Sequence, residues 1–247
     1  MNIGIFGNTN NYPYLVALGL RKLGASVKLV VNRHELLHRP ESMSPELAGA
    51  YPDWIMDCSD LPEEDFISES PRIRDALNFL SATCHAAILN HIGPSLAHNL
   101  RIPSIALMTG SDVTYYADHR SAEARRASWA PEFTRSAGGR LDQRKWLEFV
   151  SRQRDGILAA EAVSFAPLGL IPEADRLLQS IGVSEERRIF TYISDTLSLP
   201  QAKPPRNDVF TVFNGARLNW KRPFPAGFSC QDDKGTDVLI KGFAKFI

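Results

Sequence analysis

At 247 residues the chain is long enough for one large domain, or for one domain and part of another. Lys plus Arg and Asp plus Glu each number 28, so the formal net charge is zero and no basic excess points to nucleic acid. With 44% hydrophobic and 23% charged residues, and no apolar stretch approaching a bilayer span, the composition is that of an ordinary water-soluble domain.

The chain opens directly into "NIGIF", with no basic start and no apolar signal core. The first thirty residues, "NIGIFGNTNNYPYLVALGLRKLGASVKLVV", read as strand, Gly/Asn-rich turn, helix and strand. Leu15, Leu18 and Leu23, with Val16 and Leu20 beside them, follow helical spacing, and Gly24 stands where a helix ends. This is a βαβ unit, so a parallel sheet with right-handed crossovers is expected.

After strand Ser26–Val31 comes His34-Glu35-Leu36-Leu37-His38, which spells the H-E-x-x-H pattern of zinc peptidases. That chemistry needs a helix, because only there do histidines at i and i+4 share a face and grip one metal. Here a β-branched strand precedes the pattern and Pro40 follows it, which leaves at most about two turns and favours a loop. No third ligand stands at a familiar spacing, the acidic candidates being Glu63 and Glu64 in the loop-like "DLPEEDF". Zinc hydrolysis is the weakest of three functional readings.

Alternation then continues. "PRIRDALNFLSAT" is expected as a helix, "AAILN" as a strand, "PSLAHNL" as a helix and "PSIALMT" as a strand. A longer helix covers about Leu141 to Glu161, followed by strand "AVSFAP", helix "PEADRLLQSIG" and strand "RIFTYI". Together these predict an α/β, Rossmann-like, doubly wound parallel sheet over residues 1–193. Residues 194–208, with three prolines, read as a linker. Residues 209–247 read as the first strand and helix of a second Rossmann-like domain, incomplete where the chain ends at Ile247 in mid-period. Cys58, Cys84 and Cys230 are odd in number and widely separated, which indicates neither a disulfide framework nor a zinc ribbon; with no N-x-[ST] acceptor in the chain, a cytoplasmic address is expected.

Open α/β sheets bind ligands at the carboxyl ends of their strands. Three such ends carry chemistry. In "GNTNNYPY", Gly7 allows close backbone approach and Asn8, Asn10 and Asn11 offer donors and acceptors suited to a hydroxyl-rich ligand, or simply stabilise the turn. G-x-G-x-x-G is absent and Asn32, not an acid, follows strand 2, which disfavours a dinucleotide. In "LMTGSDVTYY", Asp112 is placed to accept hydrogen bonds from a sugar or polyol, or to cap a turn. In "GARLNWKRPFPAGFSCQDDKGTD", Arg217 ends a strand and Lys234 precedes a helix, a cation pair suited to a diphosphate, or two ordinary surface charges.

The pattern from Gly215 to Phe246, "GARL…DKGTDVLIKGFAKF", resembles the start of the nucleotide-sugar domain in retaining GT-B glycosyltransferases of the glycosyl transferases group 1 type (family 4-like): G-x-R-L, a loop, then K-G-x-D-x-L-I-x-A-F. The N-terminal half is similar to the acceptor domain of those enzymes, with an H-G-S-D-like segment written Thr109-Gly110-Ser111-Asp112. The resemblance implies metal-independent transfer of a sugar, with retention, from a nucleoside-diphosphate sugar to the hydroxyl of a glycan, lipid or small molecule, with no cofactor. It implies that Arg217 and Lys234 hold the donor diphosphate with Gly7 alongside, that Asp112 is catalytic near the transferred sugar, and that Asn8, Asn10, Asn11, Tyr12, Thr109 and Ser111 contact acceptor or sugar. No D-x-D triplet occurs, which agrees with metal independence. Thr109 replaces a frequent His, the Arg217–Lys234 loop is longer than usual, and the donor-binding Glu-x7-Glu of such enzymes is expected beyond Ile247, so the piece is expected to be inactive alone. Basic residues at positions 120–154 suggest peripheral contact with anionic lipid, or a solvated helix face. The alternative from another class is a non-catalytic Rossmann-like module that binds a polar small molecule through the Asn-rich loop and Asp112.

Overall fold

The computed structural model describes residues 1–121 and 143–190, which belong to one compact unit. Seven strands form one parallel sheet: β1 (Asn2–Phe6), β2 (Ser26–Val31), β3 (Ile55–Asp57), β4 (Ala86–Asn90), β5 (Ser104–Leu107), β6 (Ala162–Ser164) and β7 (Arg188–Ile189), in the order β3-β2-β1-β4-β5-β6-β7. The expected doubly wound α/β sheet is therefore present. Central β1 pairs with β2 on one side, Phe6 opposite Val30, and with β4 on the other, Phe6 opposite Leu89.

Strands of such a sheet are buried on both faces, which is why they are apolar runs rather than alternating ones. The helix α1 (Tyr12–Lys22) lies on the face that carries Ile3, Ile5, Val27, Leu29 and Val31, burying Tyr14 and Ala17 there. Pro13 suits its first turn, Arg21 and Lys22 oppose the dipole at its end, and Gly24 takes φ +84 immediately beyond, as a helix stop requires. On the opposite face, α3 (Pro71–Ser81) buries Ile73, Ala76, Leu77 and Leu80 at helical spacing, with Leu80 pressed to within 3.3 Å of where a side chain on Gly4 would begin.

A second core joins α5 (Gln143–Ala159) and α6 (Pro172–Ile181) to β5 and β6 through Ala106, Ile157, Val163, Ala174, Leu178 and Ile181. Each of the larger, fully buried side chains here, Ile157, Val163 and Leu178, contributes about 1.5–3 kcal/mol. The N-terminal half of α5 adds Trp146 and Phe149, which pack with Tyr115 and Tyr116 in an aromatic cluster, and the Trp146 indole donates to Ser121 Oγ at 2.9 Å.

Two expectations need correction, and one strand has no counterpart among them. "DLPEEDF" is not all loop, since Glu63–Ser68 forms a short helix, α2, after Pro62, whose fixed φ suits a helix start. "PSLAHNL" belongs to a 3₁₀ helix, Gly93–Asn99, not an α-helix, and α5 packs on it so closely that Pro94 O lies 1.8 Å from the Cβ position of Gly156. β3 is an edge strand with a single buried side chain, too short to show a periodic pattern. The remaining helix, α4, is one turn, Ser111–Thr114. The expected linker 194–208 and the second-domain segment 209–247, with Arg217 and Lys234, lie outside the described residues. Among the described residues no helix is long and apolar enough to cross a membrane.

Candidate functional site

The strand order reverses at β1, between β2 and β4, so the carboxyl ends of these strands define the crevice in which an open α/β sheet holds a ligand. Four loops meet there: residues 7–11 after β1, 32–42 after β2, 91–93 after β4 and 108–112 after β5.

Gly7 has φ +90, and a Cβ on it would lie 2.5 Å from the Asn90 carbonyl oxygen. Its lack of a side chain thus serves the close approach of the loop after β1 to β4. Asn8 is fully buried and committed to the protein: Nδ2 donates to Asn11 Oδ1 at 2.6 Å and to the His38 carbonyl at 2.8 Å, while Oδ1 accepts the Tyr14 N–H in the first turn of α1. Asn10 and Asn11 take φ +55 and +57, a left-handed conformation that asparagine tolerates. Asn11 Nδ2 donates to the carbonyls of Leu37 and Arg39 and to Ser42 Oγ, fastening the loop after β2 onto the loop after β1. The side chain of Asn10 is exposed and Tyr12 half-buried.

The histidine-rich pattern is part of the same fastening. Its five residues do not form an α-helix: Glu35 is extended (φ −67, ψ 134) and Leu36–His38 is a single 3₁₀ turn. His38 is buried, with Nδ1 accepting the Asn10 N–H at 2.8 Å. Glu35 is engaged by Arg33, which holds its carboxyl down to about 2. Among the described residues no group of three His, Cys, Asp or Glu could hold a metal. The zinc-peptidase geometry is not formed here.

Across the crevice, Asn90 is fully buried and joins two loops: Oδ1 accepts the Thr9 N–H at 2.9 Å and Nδ2 donates to the Leu107 carbonyl at 2.7 Å. His91 follows with φ +59, its ring edge-on to Tyr116 at 4.8 Å between centroids. Burial above all, with Arg33 nearby, holds its imidazole down to about 3, so it is neutral. Gln153 of α5, fully buried, donates to the carbonyls of His91 at 2.8 Å and Asp112 at 3.2 Å and accepts the Ser95 N–H at 2.9 Å, which locks three segments together.

Asp112 is 1% exposed. Its carboxylate accepts the N–H groups of Thr109 and Gly110 and the Thr109 hydroxyl, yet burial outweighs these three donors and pushes its pKa up to about 6. The structure thus gives Asp112 a local role, shaping the Thr109–Gly110 turn; Thr109 is half-buried and Ser111 exposed. In the basic region, positions 122–142 lie outside the described residues, and three of the described arginines engage the protein's own groups. Arg120 pairs with Asp118 and Glu173, Arg152 with Glu69 and the Ile67 carbonyl, and Arg154 with the Ala117 carbonyl and Ser180.

The structure therefore brings together Asn8, Asn10 and Asn11 with His38, and Thr109 with Asp112, and it adds Asn32, Arg33, Asn90, His91 and Gln153. Asn32 and Asn90 carry a legible signal, a polar residue at the carboxyl end of an apolar strand. Gln153 carries none, being one polar residue on a helix.

No family model matches the chain, and no curated protein matches it. Among solved structures it is similar to a UDP-glucosyltransferase from Polygonum tinctorium described as capable of glucosylating indoxyl, at 16% identity and a TM-score of 0.37, covering 72% of this chain and 49% of that one. It is also similar to UGT2 of Phytolacca americana, complexed with UDP-2fluoro-glucose and pterostilbene, at 14% identity and a TM-score of 0.39, covering 77% of this chain and 52% of that one. A Glycyrrhiza uralensis protein complexed with glycyrrhetinic acid 3-O-monoglucuronide follows at 11% identity and a TM-score of 0.31, covering 73% and 47%. The chain spans about half the length of these structures.

Proposed function

We propose that the chain is the acceptor-side Rossmann-like domain, with the opening of the donor domain, of a GT-B glycosyltransferase that moves a sugar from a nucleoside-diphosphate sugar to a hydroxyl acceptor. The observation that carries this reading is the polar crevice at the β1 switch point, lined by the hydrogen-bonding side chains of asparagines, histidines and a glutamine. Such a crevice suits recognition of hydroxyl groups. The Gly215–Phe246 segment narrows the class: Arg217 and Lys234 bind the donor diphosphate and stabilise the charge that develops on it as the glycosidic bond breaks, which removes the need for a metal. Transfer proceeds with retention. Asn10 and Ser111 are exposed at the crevice and take the acceptor or sugar side, while Asp112 holds the turn that presents Thr109 and Ser111.

The test uses the full-length protein, with UDP and UDP-glucose as probes in the presence of a chelator. Titration calorimetry is expected to detect binding that weakens at least tenfold in Arg217→Ala and in Lys234→Ala. Mass spectrometry is expected to find sugar on an added hydroxyl acceptor. If the protein, with both cations intact, binds neither a nucleoside diphosphate nor any nucleotide sugar, the reading fails.

A further inference from the structure

Asn32, Arg33 and His91 form a relay whose proton positions follow from donor and acceptor chemistry alone. Arg33 Nη1 lies 3.3 Å from His91 Nε2, and Asn32 Nδ2, as placed, lies 3.1 Å from His91 Nδ1. A guanidinium can only donate, so Nε2 must present its lone pair. The neutral ring then carries its proton on Nδ1, and a donor on Nδ1 cannot face the amide NH2 of Asn32. The two ends of an asparagine amide are told apart by their partners. Asn32 Oδ1 is at present buried without a hydrogen-bond partner. Turning the amide over gives the His91 Nδ1–H an acceptor and completes an ordered series: Glu35 accepts from Arg33, Arg33 donates to His91, and His91 donates to Asn32.

The Asn32 NH2 now occupies the unpartnered position, as a buried donor pair on a side chain only 7% exposed. Thr9 Oγ1, on the neighbouring loop after β1, is likewise buried and unpartnered. Of the four such atoms among the described residues, these two lie on the loops that flank the switch point. Buried polar groups are rarely left unmatched unless a ligand or water completes them. We propose that Asn32 is a specificity-determining residue: held by His91, its NH2 donates to an oxygen of the bound ligand, a hydroxyl or an anionic oxygen. The ligand role rests on the crevice being the substrate site; the relay does not.

Long-range proton–nitrogen NMR of the labelled chain tests the relay without ligand, with the His91 signals identified by their loss in His91→Asn. A pyrrole-like Nδ1 and a pyridine-like Nε2 are expected, and they should persist in Asn32→Asp, whose carboxylate accepts from Nδ1–H equally well. A proton on Nε2 overturns the relay and the proposal with it. The ligand role is tested with methyl glucoside for hydroxyls and inorganic phosphate for anions. Shifts of the Asn32 side-chain NH2 on addition of either, and at least tenfold weaker binding of that probe by Asn32→Asp, are expected. Shifts at Asn10 and Ser111 with the Asn32 NH2 unmoved sink the ligand role while sparing the site. No shift anywhere in the crevice removes the site and the ligand role together, and the tautomer result then stands by itself.

Discussion

Gly156 lies inside α5 with no steric need for a left-handed backbone, so helix propensity by itself says that alanine should stabilise the chain there by about 0.8–1 kcal/mol. Packing says the opposite. A Cβ at this position would sit 1.8 Å from Pro94 O, 2.5 Å from Pro94 C and 3.1 Å from Pro94 Cα. An ordinary carbon–oxygen contact is about 3.3–3.6 Å, so α5 and the 93–99 segment would have to separate by about 1.5 Å. All three obstructing atoms are backbone, and no rotamer change can relieve them. Overpacking of this kind costs about 1–3 kcal/mol, and here it lies at the upper end because α5 rests more extensively on the 93–99 segment than on any other element. Gly156→Ala is expected to lose about 2 kcal/mol net. Gly19, in α1, is the internal control: nothing lies within 4 Å of its Cβ position, so Gly19→Ala should gain about 0.5–1 kcal/mol. Urea unfolding of both variants, at an unchanged m-value, measures the pair. A Gly156→Ala chain as stable as the parent would refute the close approach of α5 to Pro94, and with it the seating of Gln153.

Gln153→Leu should destabilise by about 3 kcal/mol, since the Ser95 N–H and the His91 carbonyl would be buried unpaired; a shifted urea midpoint reads this. His91 is neutral in the fold with its pKa depressed to about 3, so below about pH 6.5 the unfolded chain binds a proton that the folded one refuses, and stability drains away as pH falls toward 3. Asp112, raised to about 6, works against this: its folded form gains the proton first, so between about pH 6 and 4 acidification adds stability through this group. His91→Asn, which tolerates the positive φ, should therefore lose less stability between pH 7 and pH 5 than the parent chain, as thermal unfolding at the two values will show; a larger loss contradicts the buried neutral ring. Because the His34–His38 segment is not an α-helix, a chelator should leave the melting temperature of the purified chain unchanged.

Much of the framework is legible in the sequence because a parallel sheet writes itself as apolar runs separated by helical periodicity. Asn2–Phe6, Ser26–Val31 and Ala86–Asn90 stand out for this reason, as does the helix whose stop is Gly24. What escaped is short or long-range. Ile55–Asp57 is too brief to show a period, and Glu63–Ser68 hides its helix behind three acids that read equally well as loop. Within the crevice, the Gly7–Asn11 stretch was recognisable as special, but composition could not tell whether Asn8 and Asn11 face a ligand or their own neighbours. That depends on the carbonyls of His38, Leu37 and Arg39 about thirty residues away, which accept their protons. Gln153 is illegible for the same reason, its three partners lying on separate segments that only the finished fold brings to one place.

Gln153 also sets an order of events during synthesis. The loops that carry His91 and Asp112 leave the ribosome well before the helix that bridges them, so until residue 153 emerges their carbonyls have only water to bond. Any nascent or shortened chain ending before α5 would hold the sheet's first strands without the clasp that fixes the crevice. The crevice is completed only after the first five strands of the sheet have been made.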